Sequence, residues 1–126
     1  MANELILVVE DNEMSRKLVR DVLTVKGYTI VEAETGEEGV RLAQERRPGL
    51  VLMDIRQPGI DGIQALRRLR AEVATRGIPV MAITASVMTN DRQKVLDAGF
   101  DAFQSKPIKI KDFVAAVEQL LERHRK

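Results

Sequence analysis

The sequence contains no cysteine and no tryptophan, and only one histidine among 126 residues. Without cysteine there can be no disulfide, no thiol nucleophile and no thiolate-bound zinc. The single histidine, His124, lies in the basic stretch Arg123-His124-Arg125-Lys126, where it reads as a solvated side chain. Chemistry built on several histidines, or on a serine–histidine–aspartate relay, is therefore excluded within one chain. Aromatic residues make up 3% of the chain and the net charge is +1, so neither stacking platforms nor a charge excess argue for nucleic acid. Arg67, Arg68 and Arg70 lack interleaved aromatics and read as a solvated helix face. Long apolar runs are also missing, and nothing matches the length needed to cross a bilayer. The opening Met1-Ala2-Asn3-Glu4 has neither the positive region nor the apolar stretch of a secretory signal. A cytoplasmic protein that binds neither membrane nor nucleic acid is the expectation.

What is present is the material of one domain, expected to span 1–126 with no separate output domain. Apolar residues are 44% and charged residues 31%, an ordinary globular balance. Three apolar runs, Leu5 to Val9, Leu50 to Met53 and Pro79 to Ile83, carry no polar alternation and read as strands buried on both faces. Thr29 to Ala33 and Ala102 to Ser105 are weaker strand candidates. Between them lie helical periods. Met14, Leu18, Val22 and Val25 share one face, and Ile63, Leu66, Leu69 and Val73 repeat the pattern, as do Phe113, Val117, Leu120 and Leu121. A further helix is expected over Thr89 to Ala98, the least apolar of the five. Asn12, Thr35 with Glu38, and Asp61 with Gln64 have capping positions. Gly27 and Gly99 stand just past helices, where a left-handed residue is wanted. Five strands alternating with five helices imply an α/β fold, a parallel sheet covered on both sides.

In such a sheet, ligands bind beyond the carboxyl ends of the strands. The polar residues found there are Glu10 and Asp11 after the first strand, Asp54 at the end of the third and Thr84 at the end of the fourth. Ser105, Lys106 and Pro107 follow the fifth. Three carboxylates brought together repel one another, and a hard divalent cation relieves that repulsion. Mg²⁺, or Mn²⁺ in its place, commonly uses one or two carboxylates and leaves room for phosphate oxygens. A remaining carboxylate can then attack phosphorus. Lys106 offers a mobile positive charge and Thr84 a hydroxyl donor for phosphoryl oxygens, and phosphoryl transfer needs little beyond such positioning and neutralisation.

The motifs Val8-Val9-Glu10-Asp11-Asn12, Leu52-Met53-Asp54-Ile55 through Pro58-Gly59-Ile60-Asp61-Gly62, Ile83-Thr84-Ala85 and Ser105-Lys106-Pro107-Ile108 occur in this order over essentially the full length. In this the chain resembles a response-regulator receiver domain of two-component signalling. It is most similar to stand-alone regulators of the DivK type and to the receivers of hybrid kinases. The resemblance implies a flavodoxin-like, doubly wound five-stranded sheet of order 2-1-3-4-5 with five helices. It implies that Asp54 is the phosphoacceptor. Glu10, Asp11, Asp54 and the backbone carbonyl of Arg56 would hold the metal, with Thr84 and Lys106 on the phosphoryl group. Phe103 would be the aromatic that changes rotamer with Thr84, and Lys106-Pro107 a candidate cis peptide.

The implied function is a phosphorelay switch rather than an enzyme, catalysing at most its own phosphorylation and dephosphorylation. Its donor would be a histidine kinase or a histidine phosphotransfer protein. Its downstream protein target would meet the face made by the helix at 89–98, the fifth strand and the last helix. Some positions depart from the family pattern. Gln57 replaces a common apolar residue and Gly49 a common Asp. Glu10 is longer than the usual Asp, Arg56 places a cation near the site entrance, and Phe103 lacks the hydroxyl of the more familiar tyrosine. Two other readings fail on single positions. A phosphatase of the haloacid dehalogenase type needs an acid two residues after its nucleophile, where Arg56 stands. A flavin-binding module needs a small, hydroxyl-rich phosphate loop after the first strand, where Glu10-Asp11-Asn12-Glu13 would repel phosphate.

Overall fold

The computed structural model describes residues 4–55, 62–84, 93, 97–105 and 108–125. Five strands, β1 (Leu5–Val9), β2 (Thr29–Ala33), β3 (Leu50–Asp54), β4 (Val80–Thr84) and β5 (Ala102–Ser105), form one sheet of order β2-β1-β3-β4-β5. Every neighbouring pair is parallel. The described helices are α1 (Glu13–Val25), α2 (Gly36–Arg46), α3 (Gly62–Ala71) and α4 (Ile110–Arg125). The described residues thus carry four helices rather than the expected five. Most of the expected span from 89 to 98 lies outside the described residues. Within that span Gln93 and Asp97 are helical, and the Gln93 amide donates to Asp97 Oδ1 at 2.8 Å, the spacing of one helical turn.

The alternation of side chains along each strand builds two cores. Leu7, Val9, Val51, Met53, Val80 and Ala82 point to the α2 and α3 side, where they meet Val40, Ala43, Leu66 and Leu69. Ile6, Val8, Leu50, Leu52, Met81 and Ile83 point to the other side, against Val19 and Leu23 of α1 and Phe113, Val117, Leu120 and Leu121 of α4. β3 is buried at every position, as a run without polar alternation requires.

The helix ends carry the expected chemistry. Asn12 Oδ1 accepts from the Ser15 N–H at 2.9 Å, and Thr35 Oγ1 accepts from the Glu38 N–H at 3.1 Å. The α1 helix closes in a Schellman motif. The Gly27 N–H donates to the Thr24 carbonyl and the Tyr28 N–H to the Leu23 carbonyl, with Gly27 at φ 96°. The capping pair Asp61 and Gln64 cannot be compared, because Asp61 lies outside the described residues.

One expectation needs correction. Of the stripe Met14, Leu18, Val22 and Val25, only Val22 packs against the core. Met14 is 82% exposed and Val25 85%, whereas Val19 and Leu23 are buried. Val19 and Leu23 also lie four residues apart, so the helix carries two apolar stripes and the sheet takes only one of them in full. In α3, Leu66 and Leu69 are buried as expected, but the helix stops at Ala71 and leaves Val73 exposed.

Candidate functional site

Glu10 continues the line of β1. Its N–H donates to the Ala33 carbonyl of β2 at 3.0 Å, so the sheet's own pairing fixes where the first carboxylate starts. Asp54 ends β3, and the Ile55 N–H behind it donates to the Ile83 carbonyl at 3.1 Å. β1 and β3 pair directly, Val9 opposite Met53. The acidic residues that follow each therefore emerge side by side. One carboxylate oxygen from each of Glu10, Asp11 and Asp54 lies within 4.8 Å of the others. Glu10 is 5% exposed and Asp54 6%, while Asp11 faces solvent. The Asn12 N–H donates to Glu10 Oε2 at 3.1 Å, so the residue that caps α1 also steadies the longest of the three acids.

The start of α3 packs closely on the end of β3. The Gly62 N–H, at the start of α3, donates to the Ile55 carbonyl at 2.8 Å. A Cβ on Gly62 would stand 2.7 Å from Ile55 Cα and 3.0 Å from the Asp54 carbonyl oxygen. Glycine is therefore required there by the close approach of backbone to backbone. The sequence displays this residue inside a motif, but only the packing shows its use.

Thr84 is the last residue of β4, which is β3's neighbour, and it pairs in register with Ser105 of β5. Its backbone reaches the same edge as Asp54. Its side chain, Arg56, Lys106 and the peptide to Pro107 lie outside the described residues. Phe103 is half-buried in β5, paired in register with Ala82, and packs against the core on the α2 and α3 side.

Residues not singled out in the sequence stand behind Glu10. Arg16 lies off the apolar stripe of α1 that the sequence displays, yet its side chain is only 13% exposed. Arg16 Nε donates to Glu32 Oε1 at 3.1 Å, and Arg16 Nη1 donates to the Glu10 carbonyl oxygen at 2.9 Å. Arg20 Nη1 reaches both oxygens of Glu32 at 3.1 Å. The hydrogen bond and charge of Glu32 hold Arg20 above its ordinary pKa. The signal available in the sequence was the spacing: Arg16 stands four residues after Asn12, one turn into α1, on the side that faces the end of β2.

Three carboxylates this close, two of them buried, are the donor set of a hard oxygen-seeking dication. Residues 6–118 match the family model of the response regulator receiver domain. The chain belongs to that family. This receiver domain is 37% identical over 116 residues to the polar-differentiation response regulator DivK of Brucella anthropi, covering 92% of this chain and 94% of that protein. It is similar in structure to the receiver domain of a sensor histidine kinase from Pseudomonas aeruginosa PAO1, with TM-score 0.89 and 32% identity over 96% of this chain and 99% of that one. That protein holds a magnesium ion coordinated in its active-site cleft. The signal receiver domain of a histidine kinase from Syntrophus aciditrophicus aligns with TM-score 0.87 at 31% identity, over 94% of this chain and 90% of that one. Receiver domains are signalling switches rather than conventional enzymes. No helix among the described residues is long and apolar enough to cross a membrane.

Proposed function

We propose that this receiver domain accepts a phosphoryl group on Asp54 from a phosphohistidine of a partner protein and signals by phosphorylation-dependent binding of another protein. The observation that carries this reading is the meeting of the Glu10, Asp11 and Asp54 carboxylates within 4.8 Å. Glu10, Asp11, Asp54 and the Arg56 carbonyl are the residues that would hold Mg²⁺ or Mn²⁺. When bound, the ion would offset the charge of the acids and of the incoming phosphoryl oxygens.

In this reading a carboxylate oxygen of Asp54 attacks phosphorus. The bond from phosphorus to the donor imidazole breaks, and its electron pair stays on the imidazole nitrogen. Asp54 suits the role because β3 is the middle strand and Gly62 packs against the backbone beside it, so the nucleophile is held from both sides. Lys106 and Thr84 are assigned to the phosphoryl oxygens, Lys106 by charge and Thr84 by its hydroxyl. Phe103 is assigned to the switch that follows. It sits two strands from Asp54, half-buried, at a position where a change of rotamer would alter the surface around β5 and the start of α4.

The exposed apolar stripe supports a donor surface beside the site. Met14 and Leu18 are 82% and 40% exposed on the helix that begins three residues after Glu10. An exposed apolar group next to a reacting centre is what a partner presenting a phosphohistidine would cover.

Incubation with acetyl phosphate and Mg²⁺, followed by intact-mass measurement, tests the assignment. The wild type should gain one phosphoryl group and Asp54→Asn none, with its circular dichroism unchanged. The amide keeps the shape of the carboxylate and removes one of three crowded charges. Phosphate appearing on Asp54→Asn at the wild-type rate would overturn the assignment.

A further inference from the structure

The Glu10 carbonyl belongs to the peptide unit that joins Glu10 to Asp11. The orientation of that one plane sets where both carboxylates leave the chain. Its oxygen accepts from Arg16 Nη1 at 2.9 Å. The guanidinium is itself fixed, since Nε donates to Glu32 Oε1 at 3.1 Å and Nη1 lies 3.7 Å from Glu34 Oε1. Glu32 is held in turn by Arg20. A chain of charged hydrogen bonds therefore runs from the end of β2, through Arg16, to the peptide between two carboxylates.

We infer that Arg16 is a positioning residue for the cation site, fixing the Glu10–Asp11 peptide so that both carboxylates point toward Asp54. This inference rests on the reading of the three acids as a metal site. A planar guanidinium can serve two acceptors in different directions at once, which an ammonium group on a shorter stem cannot do from the same place. A fastener between α1 and β2 would need only the contact with Glu32. The second arm, on a carbonyl one bond from Asp11, is the part that a fastener leaves unexplained. Partners that orient the ligands of a metal typically matter to its affinity by about tenfold or more when removed.

The sign of the effect separates the explanations. Arg16 is a cation near a site for cations. If it acted only through space, removing its charge would tighten metal binding. If it only fastened the fold, the melting temperature would fall while the affinity of the folded protein stayed the same. If it positions the acids, affinity falls although a repulsive charge has been removed.

The experiment is an isothermal titration with Mg²⁺, repeated with Mn²⁺, on wild type, Arg16→Met, Arg16→Lys, Glu32→Gln and Asp11→Ala, with folding checked by circular dichroism. Amide spectra report the positions of Glu10 and Asp11 in the same samples. The expected result is binding about tenfold weaker in Arg16→Met, an intermediate loss in Arg16→Lys, and displaced Glu10 and Asp11 amide signals in both. If Arg16→Met does not fold, Arg16→Lys and Glu32→Gln carry the test, since each keeps a polar side chain of similar size. Folded variants at Arg16 that bind as well as wild type, or better, overturn the inference while leaving the site reading intact. Wild type that binds neither ion, or Asp11→Ala that binds as wild type does, overturns the site reading itself, and the role of Arg16 with it.

Discussion

The two apolar stripes of α1 have similar residues and opposite fates. Val19 and Leu23 lie in the core against the sheet, at 3% and 0% exposure, while Met14 and Val25 on the same helix stand in solvent. Hydrophobicity alone does not say which stripe a sheet will take. The buried stripe is the one that shares a side with the contacts at the start of the helix. Asn12 caps α1 and bonds Glu10, and Arg16 reaches inward to the Glu10 carbonyl and Glu32. With Arg16 turned inward, Val19 and Leu23 follow it onto the sheet and Met14 and Leu18 are left outside. The inward side of Arg16 and the buried stripe coincide, and the apolar surface of Met14 and Leu18 stays in solvent.

This comparison can be broken most sharply with a matched pair. Leu23→Ala should cost about 2 to 5 kcal/mol, the ordinary price of truncating a fully buried leucine, and lower the urea midpoint accordingly. Val25→Ala, two residues away, should change stability by less than about 0.5 kcal/mol. Similar losses in both would mean that α1 is rotated from the orientation described here. The next largest effect tests what the outer stripe is for. The double variant Met14→Lys, Leu18→Lys should take phosphoryl from acetyl phosphate at the wild-type rate, but about tenfold more slowly from a phosphohistidine-bearing partner protein. Equal slowing with both donors would show that the change acts on the site and not on docking.

The smallest effect contrasts two helix ends. α1 ends on Gly27, whereas α2 ends on Arg47 at φ 47°, a left-handed position that a side chain adopts at a cost. Arg47→Gly should therefore raise stability, by about 0.5 to 1 kcal/mol after allowing for the greater freedom of glycine in the unfolded chain. Thermal unfolding gives the sign, and a lower melting temperature would show that Arg47 makes contacts worth more than its backbone strain.

Most of the fold was legible in the sequence because it is written in signals that stay local. The bounds expected for β1, β2 and β5 agree with those observed, and the caps at Asn12 and Thr35 and the glycine at position 27 act where they were expected. Glu10, Asp11 and Asp54 could be placed together because each directly follows a strand and parallel strands end on one edge. What was hidden depends on contacts between distant segments. Arg16 looked like any surface arginine until β2 brought Glu32 beside it. Gly62 was only one residue of a motif until its approach to Ile55 was visible. The orientation of α1 was misread because periodicity measures spacing around a helix and carries no information about which side meets a neighbour.

The order of the strands also bears on how the protein is made. β1 comes first in the sequence and sits between β2 and β3, so Ile6 must meet both Ile30 and Leu50. Pairing with β2 can close as soon as α1 has formed, but pairing with β3 has to wait for a much longer stretch of chain and a larger loss of loop entropy. Until that second closure Glu10 and Asp11 have no Asp54 opposite them. The acidic cluster is therefore completed only with the central pairing of the sheet, when β1 and β3 bring Glu10 and Asp11 to Asp54.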